Sequence, residues 1–303
     1  MSRSDPAPGI SVIVPCYRDG DDLADLLSSL QVQVPKSEEA SFEVIVVDSG
    51  LDDRVVATAE SFGARCFRGS QRMLPGEARN LGARHARGSG LAFIDADCIA
   101  EPGWVRAAGE SLQTGAAVSG GPVLNRLPWY TIASVDNLLQ FADYGPDRPA
   151  GPIRHVPSCN MAVRRDDFLT LGGFDHRGQR TGEDVLLTEA ANERWPGRLA
   201  FVPEMGVAHL GRRSLGTMLR HQHGFGYVRG ALGLHLSASQ RRWGRWPILL
   251  PAVVLKRLAY ICGRGVRYGR ISLPELVLVM PVLLMGICAW AIGFRRGLRA
   301  GLE

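Results

Sequence analysis

Asp95 and Asp97 close the run Gly90-Leu-Ala-Phe-Ile94, so two carboxylates two residues apart leave the end of a wholly apolar strand. Hard oxygen ligands at that spacing can share one divalent cation, and such a cation neutralises a diphosphate. In an open α/β sheet, ligands gather outside the carboxyl ends of the strands. The pair therefore points to nucleotide-phosphate chemistry. A second acidic pair, Glu183-Asp184, opens a helical pattern, where negative charge also complements the helix dipole.

The elements that must hold these acids follow from periodicity. Ile10 to Pro15, Phe42 to Val47, Ala64 to Phe67 and Leu91 to Ile94 read as strands. Helical spacing lies between them at Asp21 to Leu30, Arg54 to Phe62 and Gly76 to Ala86. Strands alternating with helices predict an α/β domain with a parallel sheet covered on both faces. Further on, Trp104 to Leu112 reads as a helix and Ala116 to Val123 as a strand. A helix near Trp129 to Phe141 comes next, then a Pro/Gly-rich loop from Gly145 to Pro157 that could border a site. Cys159 to Val163 reads as a strand, and Glu183 to Trp195 and Ser214 to Val228 as helices.

Charge divides the 303 residues unevenly. From Gly206 to Glu303 there are 15 Arg and Lys against 2 acids, a balance of +13 in a chain of net +5, which leaves −8 on the first 205 residues. An acidic front half argues against a nucleic-acid binder, and a basic, apolar tail suits an anionic membrane face. The six cysteines are scattered without a C-x-x-C pair, which argues against zinc and against a disulfide framework. The amino terminus has no apolar h-region, so the expectation is a catalytic half in the cytoplasm.

Five stretches in order carry a resemblance. They are Ser11-Val-Ile-Val-Pro15 with Cys16-Tyr17, Val44 to Gly50, Gly76-Glu-Ala-Arg79-Asn80-Leu-Gly82-Ala83, Phe93-Ile-Asp95-Ala-Asp97, and Gly182-Glu183-Asp184. Over roughly Gly9 to Gly230 the chain resembles family 2 glycosyltransferases of the GT-A fold, a Rossmann-like nucleotide-diphospho-sugar transferase domain. The resemblance implies that Pro15, Tyr17 and Asp48 surround the nucleoside and that Arg79 reaches the base or phosphates. It implies that Asp95 contacts the ribose or donor sugar, and that Asp97, the second acid of a DxD motif, ligates Mg²⁺ or Mn²⁺. His209 would complete the metal or diphosphate shell. Asp184 would be the general base of an inverting displacement, with Glu183 supporting the acceptor side or the helix start. The donor would be a nucleotide-diphosphate sugar. Processive members carry Gln-x-x-Arg-Trp, whereas this chain reads Arg220-His-Gln222-His-Gly-Phe-Gly-Tyr227, which favours one sugar per encounter.

Beside this stand simpler readings of the same residues: Asp48 as a turn former, Arg79 as a solvated helix arginine, His209 as a structural histidine. Rival functions are a sugar nucleotidyltransferase, which should show a glycine-rich basic first loop that Val14 to Gly20 lacks, and an inactive membrane scaffold of the same fold. The expected domain boundary puts residues 1–235 in the transferase and 236–303 in a basic connector and membrane-associated helices. Leu273 to Phe294 holds 22 residues with only Glu275 charged, long enough to cross a core of about 30 Å, and is expected to span the membrane. Pro247 to Cys262 reads as an interfacial or re-entrant helix. The expected location is the inner membrane with the catalytic domain facing the cytoplasm, and the expected acceptor is lipid-linked.

Overall fold

The computed structural model describes residues 9–17, 20–33, 41–175, 181–233 and 246–301. Most of the basic connector at 237–246, with Arg241, Arg242 and Arg245, lies outside the described residues. The chain divides into two compact units, one of residues 1–123 and 149–208, the other of 124–148 and 209–303. The chain crosses between them three times, at 123/124, 148/149 and 208/209.

The first unit opens with β1 (Ile10–Cys16), α1 (Gly20–Gln31), β2 (Phe42–Asp48), α2 (Asp53–Ser61), β3 (Arg65–Arg68), α3 (Pro75–His85) and β4 (Gly90–Ile94). β1 and β4 are buried almost throughout, which suits parallel strands covered on both faces. β2 pairs in parallel with β1 and β3, and β4 in parallel with β1, as alternation predicts. Cys16 stands opposite Asp48 and Ile13 opposite Phe93, so the carboxyl ends of the three strands share one edge. α3 lies hard against that sheet: a Cβ on Gly82 would meet Ile13 Cγ2 at 2.5 Å, so glycine there sets how close Arg79 comes to the strand ends.

Beyond β4 the sheet becomes mixed. The further elements of the unit are β5 (Cys98–Ala100), α4 (Trp104–Gln113), β6 (Val118–Gly120), β9 (Asn160–Arg164), α6 (Arg165–Thr170), α7 (Glu183–Arg194) and β10 (Leu199–Phe201). A two-strand-residue segment, β8 (Gly151–Pro152), edges the sheet, whose order is β3-β2-β1-β4-β9-β6-β10-β8. β9 runs antiparallel to both β4 and β6, and Ile94 pairs with Asn160. That pairing sets Ser158 and Cys159 beside the turn that carries Asp95. The expected single strand Ala116 to Val123 is instead split into β6 and β7 (Val123–Asn125). The break falls at Gly120-Gly121-Pro122, where added Cβ atoms would lie 2.5 Å from Asn160 O and 2.4 Å from Met205 O. The core of the unit gathers Ile13, Ile45, Phe93, Phe168, Phe174 and Leu187.

The second unit is helical. It contains α5 (Thr131–Phe141), α8 (Leu215–Leu232), a 3₁₀ turn (Pro247–Leu249), α9 (Leu250–Arg267) and α10 (Leu273–Ala300), and its chain enters through β11 (Val207–His209). α10 starts at a capping box in which Ser272 N donates to Glu275 Oε2 at 2.9 Å, with Pro274 in the first turn. Val135, Leu139, Met218, Ile261, Leu283 and Ile287 form its core. Among the described residues, α10 is the one helix long and apolar enough to cross a membrane, by length and composition.

Candidate active site

Arg79 lies between two of the acids singled out by sequence. Its Nη2 donates to Asp95 Oδ1 at 2.5 Å and its Nη1 to Glu183 Oε1 at 2.8 Å, and the side chain is 3% exposed. Burial pulls the Arg79 pKa down, but Asp95 and then Glu183 more than reverse this and hold it above the usual arginine value. The arginine is thus a buried structural cation rather than a solvated helix residue. The next residue, Asn80, clamps the backbone of Phe174, accepting from Phe174 N and donating to Phe174 O at 2.9 Å each. Gly173, at φ +74°, makes that approach possible, since its Cβ would sit 2.7 Å from Asn80 Oδ1. Two consecutive α3 side chains therefore tie the strand-end acids to the chain leading into α7.

Gly182 turns into α7 with φ +97°, a left-handed conformation that favours glycine. Glu183 is then directed inward, 6% exposed, where Ser158 Oγ donates to Oε1 at 3.4 Å besides Arg79. Asp184 is 20% exposed. Its Oδ1 accepts from Val185 N at 2.8 Å, its Oδ2 from Ser158 N at 3.4 Å, and His155 Nε2 lies 3.6 Å from Oδ2. The two neighbours titrate in opposite directions. Burial, then the charge of Asp184, pushes the Glu183 carboxyl up to about 7. Burial would raise Asp184 as well, but the nearby His155 imidazole, with Arg79 and Ser158 N, outweighs it and holds Asp184 below the usual carboxylate range.

A group near pH 7 is the better proton acceptor by affinity alone, which favours Glu183. Geometry outranks that argument, because a base must reach the proton it takes. Both Arg79 and Ser158 engage the same buried oxygen of Glu183, whereas Asp184 keeps a fifth of its surface open. Asp184 is the more exposed acid of the pair.

Asp95 is 30% exposed, with one oxygen committed to Arg79. Asp97 follows in the turn before β5 and is partly exposed, with Cys98 Sγ 4.0 Å from Oδ1. No group of three or more His, Cys, Asp or Glu able to hold a metal occurs among the described residues. That donor set fits Mg²⁺ or Mn²⁺ bound through one or two carboxylates, with the remaining oxygens supplied by phosphates and water. His209 belongs to the second unit, where its buried ring packs edge-on against Phe141 at 5.2 Å between centroids.

The three residues expected around the nucleoside end up at the carboxyl ends of β1 and β2. Pro15 pairs with Val47 in register, and the ring of Tyr17 lies 4.3 Å under the Arg72 guanidinium. Asp48 is fully buried and already engaged: Oδ1 accepts from Gly50 N at 3.0 Å, and Oδ2 from Asp52 N at 2.9 Å and Arg68 Nε at 2.7 Å. Its observed work is to close the turn between β2 and α2. His155, Ser158 and Asn80 were given no role by sequence. The only sequence signal for His155 was its place in the Gly145 to Pro157 loop.

A family model for glycosyl transferase family 2 matches residues 11–172, more than half of the chain. The chain belongs to glycosyl transferase family 2. It is 26% identical over 223 residues to the glycosyltransferase AglE of Haloferax volcanii, covering 71% of each chain. It is 26% identical over 245 residues to the succinoglycan biosynthesis protein ExoO of Rhizobium meliloti, covering 72% of this chain and 66% of that one. Among solved structures it is similar to the mannosyltransferase PcManGT of Pyrobaculum calidifontis in complex with GDP-Man and Mn²⁺ (TM-score 0.58, 16% identity, 95% of this chain and 87% of that one). It is also similar to GalNAc-T7 with UDP, GalNAc and Mn²⁺ (TM-score 0.54, 15% identity), of which it spans 49% while 77% of this chain is covered. These likenesses establish the GT-A fold, and membership of the family makes the chain a glycosyltransferase acting with a nucleotide-sugar donor.

Proposed function

We propose that this family 2 member is an inverting, non-processive transferase that moves one sugar from a nucleotide-diphosphate sugar to the hydroxyl of a lipid-linked acceptor, in surface polysaccharide or glycolipid synthesis. The observation that carries the reading is the open Asp184 carboxylate, ionised at neutral pH and joined through Glu183 and Arg79 to Asp95. Asp184 takes the proton of the acceptor hydroxyl as the new bond forms. Displacement on the face opposite the leaving diphosphate inverts the anomeric carbon.

Asp97 would hold a divalent cation, Mg²⁺ or Mn²⁺, with Asp95 directed to the ribose or donor sugar. When bound, the cation supplies Lewis-acid stabilisation of the departing nucleoside diphosphate. Pro15 and Tyr17 border the nucleoside, and Asp48 shapes the turn beside it. Glu183 sets the height and angle of Asp184 and holds Arg79. Mn²⁺ with GDP-Man in PcManGT and with UDP in GalNAc-T7 supports the cation and the donor class.

Attachment to the cytoplasmic face of the inner membrane brings soluble donor and lipid-borne acceptor together. Its support is an asymmetry of surface: of 15 exposed large hydrophobic residues among those described, 12 lie in the second unit, Trp129, Trp246 and Leu278 among them. The decisive assay incubates the full chain with UDP- and GDP-sugars, Mn²⁺ and polyprenyl-linked or glycolipid acceptors, and reads the product anomer by NMR. Retained configuration, or no release of nucleoside diphosphate from any donor, would sink the reading.

A further inference from the structure

We infer that α10 lies in the plane of an anionic membrane surface rather than across it, with one exposed stripe in the lipid and the opposite face on its own unit. The inference rests on the membrane attachment proposed above and specifies its geometry.

The helix has two faces that do different work. Leu276, Val279, Leu283, Ile287 and Ala291, at spacings of three and four, are buried and pack toward α5, α8 and α9. On the other side Leu278, Pro281, Met285, Cys288 and Ile292 repeat at the same spacings and are exposed, Leu278 by 79%, Met285 by 43% and Ile292 by 44%. That stripe continues, at steps of four and three, into the exposed Arg296 and Arg299. α9 beside it presents exposed Leu255 and Tyr260 with exposed Lys256 and Arg267. An apolar stripe ending in arginines, on a unit whose two last helices carry a single acid, Glu275, is complementary to anionic headgroups over a hydrocarbon layer.

Length alone is consistent with spanning, since 28 residues reach about 42 Å. The neighbours argue against it. Added Cβ atoms on Gly293 and Gly297 would lie 2.0 Å from His223 O and Tyr227 O of α8. In return, Cβ atoms on Gly226 and Gly230 would lie 1.9 Å from Trp290 O and 2.1 Å from Phe294 O. The two helices are in backbone contact, so a spanning α10 takes α8 with it. α8 carries Arg220, His221, His223 and Arg229, and arginine is among the side chains least tolerated in the hydrocarbon of a bilayer. α5, against the front half of α10, adds buried Asp136, which accepts from Arg212 N at 3.0 Å. An in-plane α10 keeps every one of these groups out of the hydrocarbon and still buries the stripe.

The test is flotation of the full chain with vesicles of phosphatidylcholine, with and without phosphatidylglycerol. The expected result is binding to the anionic vesicles alone, reversed by salt and by alkaline carbonate. Met285→Glu and Ile292→Glu should each weaken it about tenfold, and Arg296→Gln roughly fivefold, from about 1 kcal/mol per basic residue near a charged surface. All three positions are exposed, so unchanged nucleotide binding by the variants serves as the folding control. Attachment that survives alkaline carbonate would overturn the in-plane geometry and leave membrane attachment standing. Absence of binding to any vesicle, with sugar transfer intact, would overturn attachment itself. A lipid-free dimer that Met285→Glu dissociates, with vesicle binding unchanged, would assign the stripe to a second copy and overturn the inference as well.

Discussion

Arg79 on α3 and Glu183 at the start of α7 are 104 residues apart in sequence and joined by a buried 2.8 Å ion pair. The same guanidinium grips Asp95, so one side chain fixes the distance between the strand-end acid and the acids of α7. Removing one partner of a buried pair leaves the other uncompensated and costs about 3–5 kcal/mol. Arg79→Ala should lower stability by that order in denaturant unfolding, and Arg79→Lys, which lacks the fork, should recover only part of it. An Arg79→Ala protein as stable as the parent would refute the bridging role.

Glu183 also sets a pH dependence. Its folded pKa, about 7, stands above its ordinary 4.5, so between those values the folded state binds more protons than the unfolded chain. Stability from this group therefore falls as pH rises from about 4.5 through 7. Glu183→Gln keeps an oxygen for Arg79 and should flatten the melting-temperature profile across that window. A profile with the same slope in the variant would count against the raised carboxyl.

Asp184→Asn removes the proton acceptor and keeps the shape. Transfer should fall by about 10² to 10⁴, the usual range for loss of a general base, while nucleotide affinity measured by calorimetry stays near the parent's. Near-native turnover would move the base elsewhere.

His155 acts through Asp184, at 3.6 Å, and is a positioning residue. Because it helps hold the Asp184 pKa down, His155→Gln should move the acid limb of the kcat/KM profile to higher pH, with a loss of activity well below that of Asp184→Asn. A merely structural histidine would lower activity without moving the limb.

Asp97→Ala should weaken nucleotide-sugar binding in Mn²⁺ far more than binding without metal. Titration of Mn²⁺ against donor affinity checks this, and equal losses in both conditions would remove Asp97 from the cation site.

Much of this was legible in the chain. β1, β2 and β4 are continuous β-branched and apolar runs with turn residues at their ends, so local composition suffices for their class, order and acidic termini. Asp95, Asp97, Glu183 and Asp184 could be singled out for the same reason: charge directly after a buried strand, or at a helix start, is visible in one dimension. The break between β6 and β7 was not, because Gly120 and Gly121 are required by Asn160 and Met205, residues far along the chain.

Pairing across distance decided the rest. The order of the two acids at 183 and 184, one buried on Arg79 and one open beside His155, depends on how α3, β9 and a 13-residue loop converge, and no periodicity encodes that convergence. That a carboxylate ends the second strand is visible in the chain, whereas the three donors that meet Asp48 from its own turn and β3 appear only in the fold. The apolar run of α10 is legible from hydropathy; the glycines that press it against α8, which carries Arg220 and Arg229, show their purpose only in the fold. Hydropathy is additive along a chain, whereas burial and ionisation depend on neighbours that only folding brings within a few ångströms.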